Sequence, residues 1–447
     1  MTSSTVSNLK VCILSEFFYP DSNSGTGKAV TDIAHHLSRE TGVEVDVICG
    51  ARSYLSGERM PPSDRLDNVK IRRVSYPDWN RSGVAKRSLC NIVLALKAAW
   101  KMMFLPKYDV VLVTSAPPFM PMAAYIINKL RRTPYAYLVY DLEPDRACRL
   151  GAVGSESLPT KMLRKSHGKW MRASSKVVTI GRCMKKLVQD VYSIADESVE
   201  VVPVGVDENS IRYVNYPVTS PSEPTRLRIV YSGNLGRYHD FDTLLNCAKK
   251  LSPSEFEFLI VGTGAKRPHV DERLRTEDIP CVRALSPLPF DEYERLLQSA
   301  DACFVTMEKG IEGTCVPSKF YSIMAAGRPT LAVASPESEL AMALQEHACG
   351  LVVPPADEEA LMNALQTMRS NSEMLAEMAE NARTAFIANY TVSDTVGRLG
   401  EILHAIAGNN RVRPTVVQPA PRISTQSRVD EAVLLAQATP IENLKGR

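Results

Sequence analysis

The sequence lacks the features that mark a metal-binding, secreted or membrane-spanning chain. Its 10 cysteines are scattered without the paired spacing of metal sites, so reduced thiols in a cytosolic protein are the expectation. A cationic and apolar leader of the signal-peptide type is not apparent. The most apolar stretch, residues 90–105, is interrupted by Lys97 and Lys101, so we do not expect it to span a bilayer. These absences favour a cytoplasmic protein and predict no metal site.

Aromatic residues are few, and charge is uneven along the chain. Aromatics make up 7% of the residues, and no nucleic-acid-binding signature stands out, so nucleic acid is not an expected partner. Residues 1–220 carry 30 Lys and Arg against 21 Asp and Glu, whereas the remainder carries 23 against 29. A basic half is attracted to anionic surfaces. We therefore expect an anionic membrane surface as a partner.

The first of two glycine-rich segments does not complete a phosphate-binding motif. Residues 24–30 (SGTGKAV) would need a glycine at Ser22 and a hydroxyl at Ala29, which excludes a phosphate-loop ATPase. The segment can still bring its backbone close to a ligand or to an opposite domain, and a plain turn is the alternative. On the ligand interpretation, the substrate-binding residues are Gly25, Gly27 and Lys28.

The second glycine-rich segment, residues 261–266 (VGTGAK), lacks the third glycine of the dinucleotide fingerprint. An oxidoreductase is therefore disfavoured. Gly262 and Gly264 are consistent with a nucleotide lying against the end of a strand, and a connecting turn explains them equally well.

Strands and helices alternate twice along the 447 residues. Short apolar runs such as residues 109–115 (DVVLVTS) and 227–232 (LRIVYS) are followed by loops and amphipathic helices. This alternation predicts parallel sheets that are covered on both faces. We predict an α/β fold of two doubly wound, Rossmann-like domains that face each other across a cleft.

A connector rich in proline and serine separates the two halves and sets the predicted domain limits. A terminal helix is expected to pack back on the first domain, and the tail beyond it to be mostly disordered. In chain order, the limits are a first domain at 1–206, a linker at 207–226, a second domain at 227–390, the terminal helix at 391–410 and the tail at 411–447.

Residues 313–329 (GTCVPSKFYSIMAAGRP) combine a turn, a helix start and a glycine stop. Pro317 suits the first turn of a helix, and Ser318 can accept a hydrogen bond from the free amides there. Lys319 adds a positive charge at the same end, so the segment predicts a seat for phosphate ahead of a helix at 319–326. A well-capped helix that binds nothing is the alternative.

A glycine-hinged loop follows the strand that ends near residue 232. Within residues 231–240 (YSGNLGRYHD), Arg237 suits bidentate contact with phosphate, with Gly233 and Asn234 beside it. A solvated surface arginine is the alternative.

Three carboxylates follow a strand of the first half in residues 139–146 (VYDLEPDR). Of these, Asp141 can position an acceptor hydroxyl or act as a base. The alternative is that such residues cap the next helix, and we favour capping for Asp145.

Segments 231–245 and 316–332, together with the opening segment 15–37, resemble the family-4 glycosyltransferases of GT-B fold, in particular bacterial exopolysaccharide transferases of the colanic-acid type. The resemblance covers residues 9 to about 407. It implies a nucleotide-sugar donor on the second domain, a lipid-linked or saccharide acceptor on the first, and retention of anomeric configuration. It also implies that neither metal nor cofactor is needed, since helix amides and basic side chains neutralise the leaving diphosphate.

The chain departs from that family at several positions. Thr314 and Ser322 stand where members carry two glutamates eight residues apart, and Glu312 is our candidate for the lost sugar contact. His239 stands in place of a usual lysine, so Arg237 and Lys319 would carry the diphosphate charge. Asn234 replaces a usual arginine, and Tyr140 replaces a usual histidine. Val316 and Pro317 lie in the same segment as Thr314 and are further candidate substrate-binding residues.

Two basic helices of the first half carry the membrane hypothesis. Each combines lysines and arginines with apolar side chains, a pattern that suits anionic lipid, although a solvated helix face explains it equally well. The basic residues are Lys86, Arg87, Lys97, Lys101 and Lys107 on one helix and Lys161, Arg164, Lys165, Lys169 and Arg172 on the other, the latter with Met162, Leu163, Trp170 and Met171.

The sequence therefore predicts a membrane-associated glycosyltransferase. Its rival from another class is a non-catalytic nucleotide-sugar-binding or scaffold protein with the same fold. A GT-B epimerase or phosphorylase is a further alternative.

Overall fold

The computed structural model describes residues 9–20, 25–39, 43–53, 57–77, 83–216 and 226–408. Two sheets lie in this part of the chain, one in each half. The predicted α/β fold of two doubly wound domains is confirmed. The predicted tail at 411–447 lies outside the described residues.

The first sheet has eight strands in the order β3-β4-β2-β1-β5-β6-β7-β8, all parallel except β3, which pairs antiparallel with β4. The strands are β1 Leu9–Leu14, β2 Val43–Gly50, β3 Ser63–Leu66, β4 Val69–Val74, β5 Val110–Thr114, β6 Tyr135–Val139, β7 Lys176–Thr179 and β8 Val199–Val201. The helices of this half are α1 Gly25–Arg39, α2 Val84–Met103, α3 Met120–Arg131, α4 Asp145–Arg149, α5 Leu158–Ala173 and α6 Arg182–Tyr192.

The second sheet has six parallel strands in the order β11-β10-β9-β12-β13-β14. The strands are β9 Leu227–Ser232, β10 Phe256–Val261, β11 Val282–Leu285, β12 Ala302–Thr306, β13 Thr330–Val333 and β14 Gly350–Val353. The helices are α7 Asp242–Ala248, α8 Arg267–Thr276, α9 Phe290–Gln298, α10 Lys319–Ala325, α11 Glu339–His347, α12 Glu358–Ser370, α13 Ser372–Asn389 and α14 Val392–Ile406.

The central strands are buried along their whole length. Every residue of β5, β6, β10 and β12 is buried, as expected for apolar strands that helices cover on both faces. Their β-branched and aromatic side chains fit this doubly covered position. The core of each half therefore lies on both sides of its sheet, and the loops are left at the strand ends.

Two chain segments cross between the halves near Gly205. The Val206 amide donates to the Tyr390 carbonyl at 3.1 Å, and the Val392 amide donates to the Val206 carbonyl at 2.9 Å. A Cβ on Gly205 would lie 2.4 Å from the Thr391 carbonyl oxygen, so no larger residue fits this crossing. Beyond it, α14 packs against α1, β5 and β6 of the first half.

Candidate active site

The loops that carry the predicted donor-binding residues meet at one point of the second sheet. Strand β9 lies between β10 and β12, so the connections after β9 and β12 run to opposite sides and leave a crevice there. In open parallel sheets, ligands bind at such switch points, outside the carboxyl ends of the strands. Three loops border the crevice: the β9–α7 loop (233–241), the β10–α8 loop (262–266) and the β12–α10 loop (307–318).

The glycines of the first two loops allow these loops to pack directly on each other. Gly233, Gly262 and Gly264 have φ angles of +135°, +140° and +149°, which strain any other residue. A Cβ on Gly262 would lie 1.9 Å from the Gly233 carbonyl oxygen, and one on Gly264 would lie 2.5 Å from Asn234 Oδ1. Loop packing therefore already requires these glycines, whereas the predicted nucleotide contact stays a prediction.

Lys319 lies against the same loop pair. Its ammonium is hydrogen-bonded to the Tyr231 hydroxyl and lies 3.7 Å from the centre of the Tyr231 ring. A Cβ on Gly233 would be 3.4 Å from Lys319 Nζ. Burial lowers the pKa of Lys319 well below its usual value. The contact with Tyr231 was not predicted from the sequence, although Tyr231 directly precedes the glycine-hinged loop.

A second lysine approaches this position from the β10–α8 loop. Burial lowers the pKa of His239 well below its usual value, and Lys319 and Lys266 lower it further. Lys266 also forms an ion pair with Glu308, at 2.8 Å between Nζ and Oε1. A lysine of the β10–α8 loop and the first residue of α10 thus both lower the pKa of one buried imidazole. Lys266 was not predicted from the sequence, although it stands two residues after Gly264.

His239 itself is fully enclosed. Its Nδ1 accepts the Gly236 amide at 3.0 Å and lies 3.0 Å from the Tyr231 hydroxyl oxygen. Its Nε2 is buried and has no hydrogen-bond partner within the described ranges. A neutral imidazole therefore occupies this position, since burial holds its pKa well below the usual value.

Arg237 is exposed and makes no ion pair or hydrogen bond with any described residue. The structure does not bring its guanidinium into contact with Lys319. Its assignment to the diphosphate stays a prediction.

The predicted cap of α10 by Ser318 is wrong. Ser318 has φ −59° and ψ −22°, which is already helical, and its side chain makes no capping hydrogen bond. A capping serine needs an extended backbone, as Ser338 has at φ −73° and ψ 150°, where its Oγ accepts from the Ala341 amide. The predicted helix otherwise agrees, since α10 ends at Ala325 and Gly327 follows with φ +61°.

The β12–α10 loop faces the first half of the chain. The Leu142 amide donates to the Thr314 carbonyl at 2.8 Å, and buried Thr314 donates its own hydroxyl to Ile311. Val316 and Pro317 are buried, and Val316 lies against Gly181. Glu312 is half-buried, and its Oε2 is enclosed without a partner in the part of the chain that the structure describes. Ser322, at the second glutamate position, lies beside Tyr293 of α9, where it opposes the rise that burial causes in the pKa of Tyr293.

The predicted acceptor carboxylate lies directly beyond β6. Asp141 Oδ1 is 2.6 Å from Arg146 Nη1, and Arg146 Nη2 is 2.7 Å from Glu143 Oε1. Burial raises the pKa of Asp141, and the positive charge of Arg146 opposes this rise. Both charges also affect the pKa of the Cys315 thiol on the β12–α10 loop: Asp141 raises it and Arg146 lowers it. The Asp141–Arg146 pair therefore lies close to that loop, across the interface between the halves.

Asp145 does not cap the next helix, which corrects our prediction. It is the first helical residue of α4, and its carboxylate is buried. Arg164 Nε donates to Asp145 Oδ1 at 2.9 Å, and the Tyr192 hydroxyl donates to Oδ2. The carboxylate thus joins α4 to α5 and α6.

The glycine segment of the first half contributes the start of α1. Gly25 is the first helical residue, and the carbonyl of buried Gly27 accepts the Thr31 hydroxyl at 2.8 Å. Lys28 is exposed and pairs with Asp32 at 2.6 Å. The role of Gly25, Gly27 and Lys28 in substrate binding stays a prediction.

The basic helices are only partly arranged as predicted for a membrane surface. Lys97 donates to the Ser75 carbonyl at 3.0 Å and Lys101 to the Arg73 carbonyl at 3.1 Å, so both turn toward the sheet. Trp170 and Met171 of α5 are buried in the core and cannot contact lipid. The large exposed apolar side chains of this region belong instead mainly to α2.

Within the described residues, no helix is both long and apolar enough to cross a membrane. No group of three or more His, Cys, Asp and Glu side chains there is arranged to hold a metal ion.

Solved structures similar to this chain define the class of its fold. Sucrose-phosphate synthase from Thermosynechococcus elongatus aligns with a TM-score of 0.71 at 15% identity, over 90% of this chain and 100% of that chain. HepE of Anabaena, in complex with UDP-glucose, aligns with a TM-score of 0.65 at 15% identity, over 89% of this chain and 100% of that chain. The fold is that of GT-B glycosyltransferases.

Two family models match the chain, one on each half. The model described as Glycosyltransferase Family 4 matches residues 23–210, and the model described as Glycosyl transferases group 1 matches residues 226–371. Together they span most of the chain, which belongs to the family-4 glycosyltransferases.

Two curated proteins are similar in sequence. "Probable glycosyltransferase WbjE" of Pseudomonas aeruginosa is 24% identical over 361 residues, which is 79% of this chain and 87% of that protein. WcaI of Escherichia coli, whose name places it in colanic acid biosynthesis, is 24% identical over 139 residues, or 31% of this chain and 34% of its own length.

Proposed function

We propose that this glycosyltransferase moves a hexose from a nucleotide sugar to a lipid-linked or saccharide acceptor in bacterial cell-surface polysaccharide synthesis, with retention of configuration. The observation that carries the proposal is that two lysines lie at the β9–α7 loop, at the switch point of the second sheet: Lys319 Nζ is hydrogen-bonded to the Tyr231 hydroxyl, and the Lys266 amide donates to the Leu235 carbonyl at 2.9 Å. The UDP-glucose bound by HepE, which has the same fold, supports this class of donor.

Charge explains how these residues would act. Departure of a nucleoside diphosphate develops negative charge, which preorganised cations stabilise more in the transition state than in the ground state. The half-buried ammonium of Lys319 is poorly solvated, and a bound diphosphate would supply the missing negative charge. We assign this role to Lys319, Lys266 and Arg237, and propose that no metal or cofactor is required.

Asp141 is proposed to position the acceptor hydroxyl. Its pairing with Arg146 favours the ionised form and restrains the carboxylate. In a front-face retaining mechanism the departing phosphate takes the acceptor proton, so a strong enzyme base is not needed.

The proposal is tested by incubating the protein with UDP-, GDP- and ADP-sugars and a membrane extract, with and without a chelator, and measuring released nucleotide. We expect release from one donor class that persists with the chelator. The anomeric configuration of the product, read by NMR, tests retention.

A non-catalytic sugar-nucleotide-binding protein is the second candidate. The observation that favours it is that hydroxyl residues, Thr314 and Ser322, occupy both family glutamate positions, and that the Thr314 hydroxyl is already bonded to the Ile311 carbonyl. Tight binding of a nucleotide sugar without release, even with membrane extract, would support this candidate over the enzyme.

We also propose that the enzyme docks on anionic lipid through α2 and the end of α3. Exposed Trp100 and Phe104 lie one turn apart with ring centres 5.0 Å apart. Leu130 is 65% exposed, and Arg131 joins the end of α3 to the end of α2 through the Met102 carbonyl at 2.6 Å. The exposed cations near this apolar tip are Lys107, Lys129 and Arg132.

Liposome flotation tests this docking surface. We expect binding to vesicles with anionic lipid, weak binding to neutral vesicles, and loss of binding in the double variant Trp100→Ala/Phe104→Ala. Ile387→Ala is the matched control, because Ile387 is an exposed apolar residue of the other half. Flotation that does not depend on anionic lipid would remove the membrane proposal.

A further inference from the structure

An arginine of the first half holds the β12–α10 loop of the second half. Arg149 is the last residue of α4, and its Nη1 donates to the Gly310 carbonyl at 2.9 Å and to the Glu312 carbonyl at 2.6 Å. The guanidinium therefore donates to the backbone on both sides of Ile311. Both bonds come from one planar nitrogen whose two N–H groups point in fixed directions, whereas the three donors of an ammonium rotate.

Two glycine turns bound the segment that Arg149 contacts. Gly310 and Gly313 have φ angles of +84° and +79°, so the chain turns sharply at both ends of this short segment. Inside the turn, the Thr314 amide donates to the Ile311 carbonyl at 3.1 Å. The Gly310 and Glu312 carbonyls point outward, to Arg149.

Contacts on either side bind the same loop to the first half. The Leu142 amide, just before α4, donates to the Thr314 carbonyl at 2.8 Å. Leu150, just after α4, packs with Met307, Ile311 and Cys315. A Cβ on Gly313 would lie 2.9 Å from the Cys183 carbonyl oxygen of α6, so the loop fits closely between α4 and α6.

The loop that Arg149 holds carries a carboxylate without a partner. Glu312 lies between the two glycine turns, and its Oε2 is enclosed but accepts no hydrogen bond from a described residue. An enclosed carboxylate oxygen of this kind costs free energy unless a ligand satisfies it. A sugar hydroxyl of the donor is a suitable hydrogen-bond donor for that oxygen.

We propose that Arg149 is a positioning residue that fixes Glu312 for the sugar of the donor, from the opposite half of the protein. The inference rests on the proposed function, because it takes the ligand of Glu312 to be a nucleotide sugar. Arg149 touches no substrate itself. It acts through the loop backbone, so the sugar-binding form of the loop exists only when α4 lies against it.

The first measurement needs no substrate. In hydrogen–deuterium exchange of the full chain, the Thr314 amide should exchange about fivefold faster in Arg149→Ala than in the wild type, because two loop contacts are lost. Arg149→Lys should fall between them, since one ammonium can keep one carbonyl. Arg398→Ala is the matched control, because Arg398 is an exposed helical arginine with no bonded partner among the described residues.

The second measurement separates sugar from nucleotide. Using the donor that the wild type turns over, Arg149→Ala should lose about tenfold in turnover, while affinity for the free nucleoside diphosphate (UDP, GDP or ADP) stays within about twofold. Arg149→Lys should regain part of the turnover. A merely structural role would lower both quantities together with the melting temperature.

The outcomes are distinct. Unchanged exchange at Thr314 in Arg149→Ala overturns the proposal, and so does faster exchange with unchanged turnover. Loss of nucleotide affinity equal to the loss of turnover also overturns it. If the wild type releases nucleotide from no donor, the proposed function fails, and with it the sugar role of Glu312, whereas the exchange data still show whether Arg149 orders the loop.

Discussion

The two cations assigned to the diphosphate are held very differently. Lys319 is half-buried against Tyr231, whereas Arg237 is exposed and has no bonded partner among the described residues. The side chain of Lys319 is therefore held in position before any ligand arrives, whereas that of Arg237 must be ordered by the ligand.

Replacing either cation should slow the reaction. We expect Lys319→Ala and Arg237→Ala each to lower turnover at least about tenfold, or about 1.4 kcal/mol of lost charge stabilisation. Nucleotide release is the measurement, with Arg398→Ala as the control of equal charge change. Unchanged rates in both variants would contradict the assignment of the diphosphate site.

His167 should make the fold sensitive to acid. Its ring is buried between α5 and β6, its Nδ1 lies 2.7 Å from the Tyr137 hydroxyl, and burial lowers its pKa from 6.5 to about 3. Between these values the unfolded chain binds a proton that the folded chain does not. The free energy of unfolding therefore falls as pH falls from about 6.5 toward 3, and this contribution is fully present only above that window.

The test compares the wild type with His167→Gln in chemical denaturation at pH 7.0 and 5.5. The wild type should lose about 1 kcal/mol more than the variant over this interval. Contributions from all other groups are the same in both proteins and cancel in the comparison. Equal losses would show that His167 is not the group responsible.

At the scale of elements, two serines that precede helices differ in what they contribute. Ser338 has an extended backbone and accepts the Ala341 amide at 3.2 Å, whereas Ser318 is already helical and accepts none. We expect Ser338→Ala to cost about 1 kcal/mol and Ser318→Ala to cost a few tenths at most. Thermal denaturation of the two variants is the measurement, and equal shifts would contradict this difference.

These serines also show where sequence reasoning reached its limit. A serine before an apolar run predicts a helix start, and α10 begins where expected at Lys319, but the backbone angle that decides capping depends on the preceding loop. The amphipathic helix α6 was not predicted, although Met184, Val188 and Tyr192 recur at helical spacing and are buried. The short apolar strands were predicted well because their burial on both faces leaves a continuous apolar run.

At the scale of the whole molecule, the alternation of elements predicted two sheets, but no local pattern predicted how the halves meet. Arg149 contacts residues more than 160 positions away, and Arg182 contacts Glu339 across 157 positions. Such pairs follow from the placement of whole domains. The glycines of the β9–α7 and β10–α8 loops were identified from the sequence. Their close packing on each other was not predicted, because it depends on the two loops meeting at the switch point.

The ion pair of Arg182 should be a principal contact between the halves. Arg182 begins α6, and Glu339 of α11 accepts its backbone amide, its Nε and its Nη2, the last at 2.9 Å from Oε1. Glu339 is buried, whereas Glu346, the second partner of Arg182 at 2.7 Å, is largely exposed. The same arginine thus has one buried and one solvated partner.

Removing the two partners should therefore have unequal effects. Loss of a buried partner of an arginine costs several kcal/mol, and the partial exposure of Arg182 reduces this to about 2 kcal/mol for Glu339→Ala. Glu346→Ala should cost no more than about 0.5 kcal/mol, because water screens an exposed pair. Calorimetric melting measures both, and X-ray scattering should show a larger radius of gyration only for Glu339→Ala. Equal melting shifts, or an unchanged radius in Glu339→Ala, would mean that other contacts hold the halves together.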